Sequence, residues 1–122
     1  MYLNKKILFA DDDLDFLEAT QLMLLDKGFD VETASDGVMA VEKYREIMPD
    51  ITFMDIKMPE IDGYEAFSRI IKFDSDARVV FTSSYALNDE KYHNAKKRSL
   101  RDLLNKPLEF KKLEKMIEKH SR

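Results

Sequence analysis

Two hydrophobic rhythms alternate along this chain. Short strand-like runs recur at residues 5–10, 29–33, 51–54, 77–82 and 100–104, the first four carrying β-branched or aromatic residues and the last only leucines as its apolar residues. Between them lie longer stretches in which apolar positions repeat at helical spacing. Leu14, Leu17, Gln21, Leu22 and Leu25 mark the first of these, with Gly28 as its stop. Asp36 and Gly37 turn the chain into a second, through Val38, Val41, Tyr44 and Ile47, which ends before Pro49. Residues 63–73 predict a third, with Tyr64, Phe67, Ile70 and Ile71 as its apolar face. Residues 88–97 form a polar, weakly patterned fourth, and residues 108–120 an amphipathic fifth that turns Phe110, Leu113, Met116 and Ile117 inward.

Strands alternating with helices at this spacing predict an α/β fold, a mostly parallel sheet with right-handed crossovers and helices on both faces. The length of 122 residues suits one domain, and no repeat, linker or low-complexity tail marks a second. The central run at residues 51–54 carries apolar Ile51, Phe53 and Met54 with β-branched Thr52 between them, which reads as a strand buried on both faces, and Asp55 closes it.

Composition narrows the chemistry. There is no cysteine, which excludes disulfides, thiolate nucleophiles and zinc–thiolate sites and agrees with a cytoplasmic location. No run reaches membrane-spanning length, and the N-terminus lacks an apolar signal core. Residues 1–90 carry 9 Lys/Arg against 20 Asp/Glu, net −11, whereas residues 91–122 carry 11 against 4, net +7. The overall acidity argues against nucleic acid as a partner, while the basic final quarter offers a partner-facing patch or plain solvated helix surface. His93 and His120 each lack a neighbouring histidine, and the seven methionines read as core filling and terminus. Tyr85 and Tyr92 read as cover for the core.

The ends of four runs carry polar residues of a useful kind: Asp11–Asp12, Asp55, Thr82 and Lys106. In a parallel sheet such ends share one edge, where ligands of α/β proteins bind. Each residue alone has a plain structural reading, as a cap, a turn or surface. Together they place three carboxylates, a hydroxyl and an ammonium in one locality. With no histidine or cysteine nearby, crowded carboxylates favour Mg²⁺, or Mn²⁺, over zinc. A cation, a lysine and a hydroxyl around one carboxylate describe phosphoryl transfer, with Asp55 as nucleophile. A magnesium-dependent aspartyl phosphatase fits less well, because Phe16–Leu17 follow the Asp13/Asp15 pair, and no glycine-rich phosphate loop follows any strand.

The segments ILFADDD, FMDIKMPEIDG, VVFTS and NKP, in this order and spacing, resemble the receiver domain of bacterial two-component response regulators, here of the single-domain, chemotaxis-regulator-like kind. The resemblance covers essentially residues 1–122 and implies a flavodoxin-like, doubly wound sheet of five parallel strands in the order 2-1-3-4-5 with five helices. It implies a stand-alone receiver without an output domain, a monomer or weak dimer. It further implies that Asp55 accepts phosphate from a histidine kinase or a histidine phosphotransfer protein. Asp12 and Asp55 would ligate Mg²⁺ with the backbone carbonyl of Lys57, and Asp11 largely through water. Lys106 would bind the phosphoryl group, the peptide before Pro107 is expected cis, and Thr82 would move toward the phosphate. Lys57 and Ser84 are expected to border the pocket. The downstream protein target would bind the face of the fourth helix, last strand and last helix.

The chain departs from the family pattern at Leu103, where receivers usually carry Tyr or Phe, and at Ser83, where Ala or Gly is usual. Residues 83–98 are the expected place of local divergence. The competing reading is a receiver-fold interaction module that acts independently of phosphorylation.

Overall fold

The structure, a computed structural model, describes residues 5–84 and 88–122. Five strands, β1 (Lys6–Ala10), β2 (Asp30–Ala34), β3 (Ile51–Asp55), β4 (Val79–Ser83) and β5 (Asp102–Asn105), alternate with five helices. The helices are α1 (Leu14–Asp26), α2 (Gly37–Ile47), α3 (Gly63–Phe73), α4 (Asp89–Lys97) and α5 (Phe110–His120). The strands form one parallel sheet in the order β2-β1-β3-β4-β5. Fold class and strand order are thus those expected from the sequence. Among the described residues, no helix is long and apolar enough to cross a membrane. Tyr85 lies outside the described residues, whereas Tyr92 packs against the core as expected.

Alternation along each strand divides the core into two layers. Leu8, Ala10, Met54 and Phe81 face α2, α3 and α4, where Ala40, Tyr44, Phe67, Ile70 and Ala95 meet them. Ile7, Phe9, Phe53 and Val80 face the other way, against Leu17 and Leu24 of α1 and Leu113 and Ile117 of α5. The central strand β3 is buried along its whole length. Four helices start at an acid or amide whose side chain accepts a hydrogen bond from the backbone N–H three residues on: Asp13, Asp36, Asp62 and Asn88. Each such cap contributes about 1 kcal/mol. At the opposite end of the sheet, the buried Tyr44 hydroxyl donates to Asp74 Oδ2 at 2.6 Å, and Arg122 donates to the same carboxylate.

Two strands start later than their apolar patterns suggest, for one reason. Phe29 and Leu100 each extend an apolar run, yet both terminate a helix. The Phe29 N–H donates to Leu24 O and the Gly28 N–H to Leu25 O, with Gly28 at φ 96°. Likewise the Leu100 N–H donates to Ala95 O and the Ser99 N–H to Lys96 O, with Ser99 at φ 72°. This paired closure ends a helix in the left-handed region and tucks the next apolar side chain under its last turn. Phe29 and Leu100 are accordingly buried as helix ends, and β2 and β5 begin at Asp30 and Asp102. Residues 74–77 form a turn, so β4 starts at Val79.

The face of α1 also differs from the expected one. Leu17, Thr20 and Leu24 are its buried residues, while Leu14, Leu22 and Leu25 stand 67%, 62% and 46% exposed. Leucines lie all round this helix, so spacing alone could not choose which of them face the sheet. Nor are the methionines uniformly core: Met54 and Met58 are buried, but Met39 and Met48 are exposed. Leu24→Ala is expected to cost about 2–4 kcal/mol and Leu22→Ala less than about 0.5 kcal/mol, as urea denaturation of the two variants will show.

Candidate functional site

The strand ends on one edge of the sheet bring the chemistry together. Asp11 follows β1 and is fully buried; its N–H donates to Ala34 O at 3.0 Å, which fixes the turn beyond the strand. The next residue, Asp12, points outward and is exposed. Asp55 is the last residue of β3 and is 6% exposed. The register sets Thr82 directly beside Asp55, with Ser83 one step further along β4. Lys106 follows β5, and its peptide bond to Pro107 is cis, as expected.

Glycine lets the next helix begin hard against the strand that ends in Asp55. A Cβ on Gly63 would lie 2.5 Å from Asp55 O and 2.7 Å from Ile56 Cα, closer than carbon atoms tolerate. The Gly63 N–H donates to Ile56 O at 2.6 Å. α3 therefore starts against the backbone that carries Asp55.

Lys106 joins the acids. Its Nζ lies 2.5 Å from Asp11 Oδ2 and 3.3 Å from Asp55 Oδ2. The N–H of Lys57 donates to Asp55 Oδ1 at 3.4 Å, and that of Asp13 to Asp11 Oδ1 at 2.9 Å. Burial, with the nearby charge of Asp11, raises the pKa of Asp55 above its ordinary value; Lys106 and the Lys57 N–H oppose that shift. Burial works to lower the pKa of Lys106, but its hydrogen bond to Asp11 and the two carboxylate charges prevail and raise it. The two shifts are consistent, because the lysine faces two anions whereas Asp55 faces one cation and one anion.

Among the described residues, Asp11, Asp12 and Asp55 form the acidic group able to hold a metal ion, each offering an oxygen within 4.8 Å of the others. An all-oxygen set with two buried carboxylates suits a hard divalent cation such as magnesium. Thr82 Oγ1 is buried and has no hydrogen-bond partner among the described residues, so a hydroxyl stands ready beside Asp55. Lys57 borders a cavity of about 490 Å³ together with Ile56, Ser83 and Asn88, while Ser84 is exposed and is not among its lining residues.

Two residues at the site carry no motif signal. The Phe16 ring lies 5.1 Å from Lys106 Nζ and edge-on to Phe9, a cation–π contact that helps hold the ammonium over the acids. Tyr64 lines the same cavity as Lys57. The histidines stay out of the site: His93 is exposed on α4, and His120 pairs with Asp102 at 3.1 Å.

The likeness to known proteins agrees with this geometry. Residues 7–118 match the response regulator receiver domain as a family. Chemotaxis protein CheY of Treponema pallidum is 35% identical over 111 residues, covering 88% of this chain and 76% of that protein. Transcriptional regulatory protein ZraR of Klebsiella oxytoca is 36% identical over 108 residues; these span 88% of this chain but 24% of the longer protein. Among solved structures, the CheX-CheY-BeF3-Mg complex of Borrelia burgdorferi aligns with a TM-score of 0.86 at 28% identity, over 96% of this chain and 89% of that one. Sheet order, strand-end chemistry and likeness over nearly the full length point the same way: the chain belongs to the response regulator receiver domain family, the phosphoryl-accepting units of two-component signalling.

Proposed function

We propose that residues 1–122 form a single receiver unit in which Asp55 accepts a phosphoryl group and thereby changes the protein's affinity for a partner. The observation that carries this reading is the junction of Asp11, Asp55 and Lys106 around the end of β3, with the Thr82 hydroxyl alongside. A carboxylate oxygen of Asp55 attacks the phosphorus of a phosphohistidine on a histidine kinase or histidine phosphotransfer protein. The new P–O bond forms as the P–N bond breaks, and the imidazole leaves with the electron pair and takes up a proton. Lys106 then balances the phosphoryl charge instead of the Asp55 carboxylate, and Thr82 donates to a phosphoryl oxygen.

Asp11, Asp12, Asp55 and the backbone carbonyl of Lys57 would hold Mg²⁺, and Mn²⁺ would accept the same donors. Bound there, the ion neutralises charge on the phosphoryl oxygens. Water attack on the phosphorus returns Asp55 to a carboxylate and ends the signal. Lys57, beside the cavity, and the exposed Ser84 would tune that lifetime. The exposed lysines of α4 and α5, among them Lys96, Lys97, Lys111, Lys112 and Lys115, support assigning the downstream target to the α4–β5–α5 face, which would then suit an acidic protein in the cytoplasm.

Incubation with Mg²⁺ and acetyl phosphate, followed by mass-spectrometric mapping, is expected to place one phosphoryl adduct on Asp55. An adduct elsewhere, or none, overturns the proposal.

A further inference from the structure

Tyr64 sits where none of the chemistry above employs it. It lies in the first turn of α3, next to Gly63, and its ring stands edge-on to Phe81 with centroids 5.3 Å apart and planes at 85°. Phe81 is fully buried and immediately precedes Thr82. On its other side the Tyr64 ring faces α4: Lys91 Nζ lies 5.8 Å from its centroid and 3.6 Å from Asp62 Oδ2. One ring thus touches both the strand that carries Thr82 and the helix that follows it.

The ring also has space. It borders the cavity of about 490 Å³ lined by Ile56, Lys57 and Ser83, and it borders a second, of about 320 Å³, between α3 and α4, where Phe67, Ser68, Ala95 and Arg98 form other walls. Asp62, Tyr64 and Lys91 border both. Close-packed side chains resist displacement because nothing around them can yield; this ring has open volume on two sides. Phe67 also meets Phe81 edge-on, at 5.6 Å, but it is 1% exposed and borders only the second cavity. On β5 the residue opposite Phe81 is Leu103, which has neither a ring nor a hydroxyl.

We propose that Tyr64 is the positioning residue through which the state of Asp55 reaches α4: its ring moves between the two cavities as Phe81 and Thr82 shift, and draws Lys91 with it. The inference rests on Asp55 as the phosphoacceptor. A ring that merely covered core would contribute stability and carry no signal.

The test uses wild type, Tyr64→Phe and Tyr64→Leu with Mg²⁺ and beryllofluoride as a stand-in for the phosphoryl group. Amide hydrogen exchange across α4 is read before and after, and acetyl phosphate labelling of Asp55 runs in parallel. Wild type and Tyr64→Phe, which keeps the ring, are expected to change α4 exchange by about fivefold or more, the lower range of coupling between sites. Tyr64→Leu should label Asp55 at the wild-type rate yet leave α4 exchange unmoved. An undiminished α4 response in Tyr64→Leu overturns the proposal. Should that variant fail to fold, fluorotyrosine-labelled wild type decides: the ¹⁹F signal missing from Tyr64→Phe must shift on modification, and a stationary signal overturns the proposal. No adduct on wild-type Asp55 removes the phosphoacceptor reading, and this inference falls with it.

Discussion

Lys106→Met is expected to lower the unfolding free energy by about 3 kcal/mol in magnesium-free buffer, the scale of stranding charge by removing one partner from a buried ion cluster. Asp11 is fully buried and Asp55 nearly so, and both lean on the same ammonium. Methionine keeps the aliphatic stem and its packing near Phe16 but leaves two carboxylates facing each other. Part of the loss should return in saturating Mg²⁺, because a bound cation stabilises the native state and replaces the missing charge. Urea denaturation with and without Mg²⁺ measures both effects. A loss below about 1 kcal/mol, the range of an exposed pair, would show that Lys106 does not balance the acids. Labelling of Asp55 by acetyl phosphate should fall by about 10²-fold or more, the usual consequence of removing one charge-stabilising donor.

Asp55→Asn is expected to move function and stability in opposite directions. The amide offers no anionic oxygen for attack, so adduct formation at position 55 should be abolished. Stability in Mg²⁺-free buffer at pH 7 should nevertheless rise by about 1 kcal/mol, since natural functional sites give up stability on this scale. The sign follows from the raised pKa of Asp55: folding disfavours its charged form, first through burial and then through Asp11. That penalty is complete at a pH above the folded pKa and vanishes as pH falls below the ordinary carboxylate value of 3.8. The stability gap between variant and wild type should therefore narrow on acidification. Thermal melts across pH 4–7 check this, with a shift of about 4 °C expected at the neutral end; a gap that widens toward acid contradicts the assignment.

Much of this was legible in the chain because burial leaves a direct imprint on composition. A strand covered on both faces is dominated by apolar and β-branched residues, and Ile51, Phe53 and Met54 around Thr52 fit that pattern. The site was legible for a topological reason, since parallel strands bring their ends to one edge whatever lies between them. What spacing could not supply was the choice between equivalent faces. The leucines around α1 offered more than one apolar stripe, and Asp11 and Asp12 differ in burial only because successive residues of the turn point opposite ways. Phe29 and Leu100 read as strand because their apolar character records burial without recording what buries them. Tyr64 read only as part of a helix's apolar face and Phe16 not at all, because their contacts at the site depend on distances between elements, which no local pattern encodes.

The Thr82 hydroxyl, without a hydrogen-bond partner among the described residues, has a thermodynamic side. A buried polar group without a hydrogen bond costs about 1–3 kcal/mol, so the fold carries a local conflict beside Asp55. That is also the scale of the free-energy gaps that leave minor conformers 0.1–10% populated. An arrangement that satisfies the hydroxyl begins with this advantage before any phosphoryl group arrives. If Asp55 is the phosphoacceptor proposed above, a phosphoryl oxygen that accepts from Thr82 would recover that cost.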